Sequence, residues 1–420
     1  MFCYSPMSRS YLLRTGNNDV RFIVSINKGM PKMHIPSHTL VYLAMILGLL
    51  VVPRALQRFR LPAPLTCFVF GIGGAVFFKT TVDDQVLRVV ATLGIASLFL
   101  LAGLEVDLAE IRSQLSRLMG HLGIRGIFLI ASAWFAIRFL HMPWQPASLL
   151  GLGLFTPSTG FILDTLPQSG LTESEQTEVS ISAVAGEITA LLVLLVLSHA
   201  DSVQTLAVST GTLLLLVVLT PLFFLALGRY VVPYAPGSEF SLLLMVGIIC
   251  AVITKAIGVH VLIGAFVAGL VAGLLKTRMT TLASHENLHA VRLFASFFVP
   301  FYFFHEGLEV PIGALILRAL FYGLALSIVV LPIRIGKNWL ECRYFSRRTR
   351  AGGMRVAIAL TPTIIFTLVI AGILHESFHI DDALYGGLLV YATISTILPS
   401  FVLPSLAQKA LTTMPADVQA

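Results

Sequence analysis

The sequence predicts an all-α membrane protein of about thirteen transmembrane helices, built as an inverted-topology repeat whose two broken helices meet near the bilayer midplane. Three observations predict it. Hydrophobic residues make up 56% of the 420 positions and charged residues 12%, with a mean hydropathy of +0.89, which excludes an ordinary soluble globule. Apolar runs of about 17 to 25 residues, long enough to cross a hydrocarbon core as helices, follow one another along the chain. Two short motifs each recur at nearly the same separation, on corresponding runs.

The runs lie near residues 38–53, 62–79, 88–106, 120–140, 146–166, 178–199, 204–231, 239–257, 259–275, 291–308, 312–335, 354–374 and 383–407. Their connections are short, so no soluble domain is inserted. Residues 1–37 read as an N-terminal tail without an apolar core of its own, expected to be disordered and not a signal peptide. Residues 38–407 form the transmembrane body, and 408–420 a short C-terminal tail.

The net charge of +7 would suggest nucleic acid in a soluble protein, but in a polytopic chain basic loops set orientation. Connections after odd-numbered runs hold Arg54, Arg58, Arg112, Arg117, Arg125, Arg343, Arg347, Arg348 and Arg350, whereas those after even-numbered runs hold little beyond Lys79, Arg88, Arg138, Lys255 and Arg318. The C-terminus is therefore expected in the cytoplasm and the N-terminus outside, against the pull of Arg9, Arg14, Arg21, Lys28 and Lys32 in the tail.

"AGLEVDLAEI" and "EGLEVPIGAL" place Glu105 and Glu309 204 residues apart, and "LFTPSTGFIL" and "IALTPTIIFTL" place Pro157 and Pro362 205 apart. That separation spans seven runs. An odd number sends the two copies across the membrane in opposite directions, which defines an inverted repeat. Pro157 and Pro362 each break a helix in mid-membrane, where freed backbone groups are tolerated only if they find partners or line a cavity. An ion or substrate site is expected between the fifth and twelfth runs, with Thr156, Ser158, Thr159, Thr361 and Thr363 as hydroxyl ligands.

The sixth run, "EQTEVSISAVAGEITALLVLLVL", holds Glu187 between long apolar stretches. An isolated carboxylate at that depth marks function. Burial disfavours its charged form and a bound cation favours it, so it can hold a proton or a metal cation but not both. Arg334 and Lys337, on adjacent turns of the eleventh run, are candidates for compensating charge at the site, the alternative being that they snorkel to the interface. His305 and Glu306 end the tenth run as an interfacial pair or a gate. Small residues crowd the second and ninth runs, with Gly264, Ala265, Ala268, Gly269, Ala272 and Gly273 in the latter, and permit close helix approach.

"HESFH" formally matches H-E-x-x-H, in which His375 and His379 on one helix face would hold zinc with Glu376 as base. It falls in the connection after the twelfth run without a third ligand, so a solvated loop is the better reading. The cysteines, Cys3, Cys67, Cys250 and Cys342, lack metal or redox spacing. No cofactor and no bound metal is expected, and no enzyme activity.

"LGIASLFLLAGLEVDLAEIR", "LIGAFVAGLVAG" and "LHAVRLFASFFVPFYFFHEGLEV" resemble the third-, ninth- and tenth-span signatures of the second monovalent cation:proton antiporter family, which contains bacterial sodium/proton antiporters and glutathione-gated potassium-efflux antiporters. The likeness runs from about residue 38 to the end. It implies a homodimer in the bacterial inner membrane, with core spans at about 88–199 and 291–407, the broken fifth and twelfth crossed among them, moving in an elevator-like manner against dimerisation spans at about 38–79 and 204–275. It also implies that Glu187 matches the ion-carrying carboxylate, one methylene longer than usual. Gly186 stands where the family places a neighbouring polar residue, and Lys337 matches a lysine whose partner acid is absent. The sequence is thus expected to specify a sodium or potassium/proton antiporter in which the two ions compete for Glu187. The rivals are a proton-coupled carrier of another small solute, a cation channel and the zinc protease.

Overall fold

A computed structural model describes residues 37–59, 61–78, 84–106, 115–198, 203–235, 237–275, 284–345 and 353–413. Its helices are α1 Ser37–Gln57, α2 Ala63–Phe78, α3 Gln85–Leu104, α4 Leu115–Leu140, α5 Trp144–Phe155, α6 Thr159–Thr165, α7 Glu173–Ser198 and α8 Val203–Tyr230, followed by α9 Glu239–Ala256, α10 Val261–Leu274, α11 His285–Leu308, α12 Leu317–Phe345, α13 Gly353–Ala359, α14 Ile364–Phe378 and α15 Asp382–Thr413. Contacts divide the chain into residues 1–45, of which only the start of α1 is described, and a unit from Ile46 to the end. The expected N-terminal tail up to residue 36, Arg112, Arg347, Arg348, Arg350 and the last seven residues lie outside the described residues.

Among the described residues, nine helices are long and apolar enough to cross a membrane, and α13 with α14, bent by 44° at their break, makes ten. α5 and α6 together form one of the nine. Helices at the first, second and ninth expected places are apolar but shorter. Each of the thirteen expected places therefore holds a helix, while a full crossing is met at ten.

The inverted repeat shows in how helices meet. α3 and α11 begin on side-chain caps, Asp84 accepting from the Val86 amide and Ser284 from the Asn287 amide, which satisfies amides the first turn leaves open. They end on Glu105 and Glu309 in nearly the same conformation, φ −78°, ψ −8° and φ −77°, ψ −7°. Close to those ends, α3 meets α10 as α11 meets α2. A Cβ added at Gly103 would lie 2.3 Å from Phe266 O and 3.0 Å from Gly269 Cα, and one at Gly307 would lie 2.2 Å from Phe68 O and 3.0 Å from Gly71 Cα. The small residues of the second and ninth runs thus let backbones touch at two related crossings.

Packing sorts the rest into two sets that touch where α3 meets α6. α2, α3, α8, α9, α10 and α11 pack on one another, and α4 to α7 pack with α12 to α15. The broken helices and α7, which carries Glu187, belong to the second set.

Candidate ion site at the crossed broken helices

α5 stops at Phe155 because Pro157 has no amide hydrogen to give the Gly153 carbonyl four residues back. The Thr367 hydroxyl from α14 donates to that orphaned carbonyl at 2.9 Å. The next one, Leu154 O, accepts from the Tyr391 hydroxyl of α15 at 2.8 Å. On the repeat-related break the carbonyl four residues before Pro362, Ile358 O, takes the Thr361 amide at 3.0 Å and the Thr361 hydroxyl at 2.8 Å, and Leu360 O takes Arg334 Nη2 at 2.9 Å. The two breaks are tied directly where they cross. The Ser158 amide donates to Pro362 O at 2.9 Å, and Ser158 Oγ accepts from the Ile365 amide at 3.0 Å, so Ser158 caps α14 from across the crossing, an N-cap supplied in trans.

That accounting separates the expected ligands. Ser158 caps a helix, Thr361 bonds Ile358 O and Ser395 O, and Thr363 pairs with Ser395 Oγ at 2.9 Å. Thr156 is buried at the C-terminal cap of α5. Glu187, 2% exposed, and Thr159, fully buried, face each other, and among the described residues Glu187 Oε2 and Thr159 Oγ1 make no well-formed hydrogen bond, to each other or to any other group. Buried polar atoms are otherwise nearly always paired. An open carboxylate oxygen and an open hydroxyl side by side can take a proton or a dehydrated monovalent cation.

The compensating charges differ from expectation. Arg334 and Lys337 are 1% and 3% exposed and do not snorkel. Arg334 alone of the two reaches a break carbonyl. Lys337 turns to Glu341, one helical turn on, at 2.9 Å, because i,i+4 spacing presents that carboxylate first. Glu341 also meets His121 Nδ1 at 3.1 Å and Arg125 Nη2 at 3.6 Å. Arg125, grouped by sequence with the basic loops, is a largely buried side chain of α4 whose Nη2 donates to Ser182 O of α7 at 2.8 Å.

Arg125 and Pro157 also explain Gly186. A Cβ there would lie 2.2 Å from Arg125 Nη1, 2.9 Å from Pro157 Cγ and 3.0 Å from Pro157 Cδ. No polar side chain fits beside Glu187 without moving the break. Gly186→Ala is accordingly expected to cost about 1–3 kcal/mol by overpacking, seen as a lower melting temperature of the purified protein.

HESFH does not make a zinc helix. His375 and Glu376 lie in the last turn of α14, not in a loop as expected, and His379 leaves the helix with φ 50°. His375 Nε2 sits 3.0 Å from Asp382 Oδ1 instead.

Arg125, Glu341, His121 and Tyr391 were missed as site residues. Lys337 and Glu341 at i,i+4 were a readable signal; the others meet the site only through the fold.

A cavity of about 510 Å³ bounded by Arg54, Glu105, Arg292, Gly160, Phe161 and Ile365 leads to the crossing from one end. A second, of about 590 Å³, lies at the opposite helix ends, beside Arg88, Lys255, Tyr302, His305 and Glu306.

An inverted repeat whose two broken helices cross over a buried open carboxylate is the architecture of a secondary transporter. A model of the transmembrane sodium/hydrogen exchanger family matches residues 43–409, and the chain belongs to that family. It is 24% identical over 384 residues to probable Na(+)/H(+) antiporter 3 of Methanocaldococcus jannaschii, covering 87% of this chain and 96% of the relative. It is 27% identical over 331 residues to the glutathione-regulated potassium-efflux system protein KefC of Enterobacter, covering 73% of this chain and 51% of KefC. Its fold matches the structure of the sodium proton antiporter MjNhaP1 from Methanocaldococcus jannaschii with a TM-score of 0.62 at 14% identity, over 88% of this chain and 96% of that one.

Proposed function

We propose that the chain exchanges a monovalent cation, sodium or potassium, for a proton by alternating access, and that the two ions compete for Glu187. The observation that carries this is the pair of open oxygens, Glu187 Oε2 and Thr159 Oγ1, beside a crossing whose orphaned carbonyls are served by Thr367, Tyr391 and Arg334. Family membership supports antiport. The relatives' names include both sodium/proton antiporters and a potassium-efflux protein, so the cation is a matter for assay.

The packing supports a moving core of about residues 115–198 and 317–403, narrower than the sequence division, because α3 and α11 pack with the other set. Leu214, Leu215, Val218, Leu219 and Leu222 are exposed along α8 and suit lipid or a second copy in a homodimer. The distribution of basic residues supports an N-terminus outside and a C-terminus in the cytoplasm, and family membership supports a bacterial inner membrane.

Exchange is expected to be electroneutral. Gly186 supplies no second acid, and Lys337 is held by Glu341 and not free to cycle a further proton. The test is dye-reported proton movement in proteoliposomes on addition of sodium, potassium or lithium, with the membrane potential clamped. At least one of these cations should drive proton flux, and the rate should ignore the clamp, because an electrogenic cycle would be biased by about 2.3 kcal/mol per charge per 100 mV. Proton flux with none of the cations would end the antiport reading, and voltage-following flux would end one-for-one exchange.

A further inference from the structure

At the helix ends opposite the Glu105 cavity, α11 closes with His305, Glu306 and Glu309, whose ligand atoms lie within 4.8 Å of one another. His305 is 6% exposed. Among the described residues its Nε2 has no hydrogen-bond partner, and it stands 3.6 Å from Glu309 Oε1, beyond a hydrogen bond but suited to two ligands around one ion. Tyr302, buried one turn earlier, turns its hydroxyl toward Glu306. Tyr302, His305 and Glu306 line the 590 Å³ cavity, so an ion has room to enter. A third carboxylate, Glu376 of α14, acts on both Glu306 and Glu309. Arg88 and Lys255 offset part of this charge from the cavity wall, but two acids gathered at an open imidazole, with Glu376 adding to the negative field, remain a cation-seeking set.

One imidazole with two or three carboxylates is a donor set for a divalent first-row metal, zinc above all, and not for sodium or potassium. We propose that His305, Glu306 and Glu309 form a divalent-metal site, with Glu376 able to join it, and that metal bound there brakes transport. Braking follows from where the ligands sit. α11 packs with the set that contains α2, α3 and α10, whereas Glu376 closes α14, a broken helix of the other set. The ion's three close ligands all lie at the end of α11, and an ion that also draws in Glu376 ties the two sets together at one end of the exchange path. The braking half rests on the alternating-access reading; the binding half does not.

The full-length protein is purified without metal, titrated with zinc chloride, and read by metal content after desalting and by calorimetry. Tight zinc at one per chain is expected, weakened about tenfold or more in Glu309→Gln and in His305→Gln. Glu309 is exposed at its helix end, so Glu309→Gln should keep its fold and basal exchange. Zinc bound equally by both variants, or no zinc at one per chain in the wild type, overturns the site. In proteoliposomes, micromolar zinc should slow wild-type exchange severalfold and Glu376→Gln exchange much less. Zinc that binds the site but leaves wild-type exchange unchanged overturns the brake. Absence of any cation-driven exchange without zinc counts against the transport reading and leaves the binding result standing.

Discussion

Glu187→Gln should abolish cation-driven proton exchange while leaving the protein folded and at least as heat-stable as the wild type. The amide keeps the size of the side chain but can neither release a proton nor offer a full negative charge to a cation. Stability should not suffer, because Glu187 is 2% exposed and its Oε2 has no partner to lose. Replacing a buried carboxyl that is in no ion pair among the described residues by a neutral isostere removes the cost of burying its charge. Proton flux in proteoliposomes and a melting curve of the same preparation check both halves. Exchange at wild-type rate in this variant would mean that the ions travel elsewhere.

The same substitution at Glu341 should do the reverse. Glu341, 1% exposed, is met by Lys337 at 2.9 Å, His121 at 3.1 Å and Arg125 at 3.6 Å. Glu341→Gln leaves two buried cations without their carboxylate. Breaking one side of a buried ion pair typically costs about 3–5 kcal/mol. The melting temperature should fall clearly, and Lys337→Met in the same chain should recover part of the loss. A Glu341→Gln protein as stable as the wild type would show that the cluster is held by something other than its charges.

Much of this was legible before any coordinates. A proline alone does not break a helix here, since Pro221, Pro300 and Pro332 lie inside continuous helices; Pro157 and Pro362 stood out because each sits in a Thr-Pro motif and the two motifs share one spacing, which carried the inverted repeat. Glu187 stood out because no turn residue near it offers an escape from hydrocarbon. What could not be read was the pairing across the fold. Ser158 looks like a ligand hydroxyl until it is seen capping a helix 207 positions later. Arg125 looks like a loop charge until Ser182, 57 positions on, receives it. His121 meets Glu341 across 220 positions, a distance over which sequence spacing says nothing. The end of α14 was misplaced because helix termination at His379 depends on a left-handed residue, and histidine is not the glycine that usually signals one.

Competition between proton and cation for one carboxylate is tested most directly by the pH dependence of cation affinity in the purified protein. Calorimetric titration with the cation that drives exchange should give binding that weakens about tenfold per pH unit on the acid side of Glu187 ionisation. One proton should be released for each cation bound, and Glu187→Gln should show no such binding. An affinity that stays constant with pH, or cation binding without proton release, would contradict a shared site at Glu187.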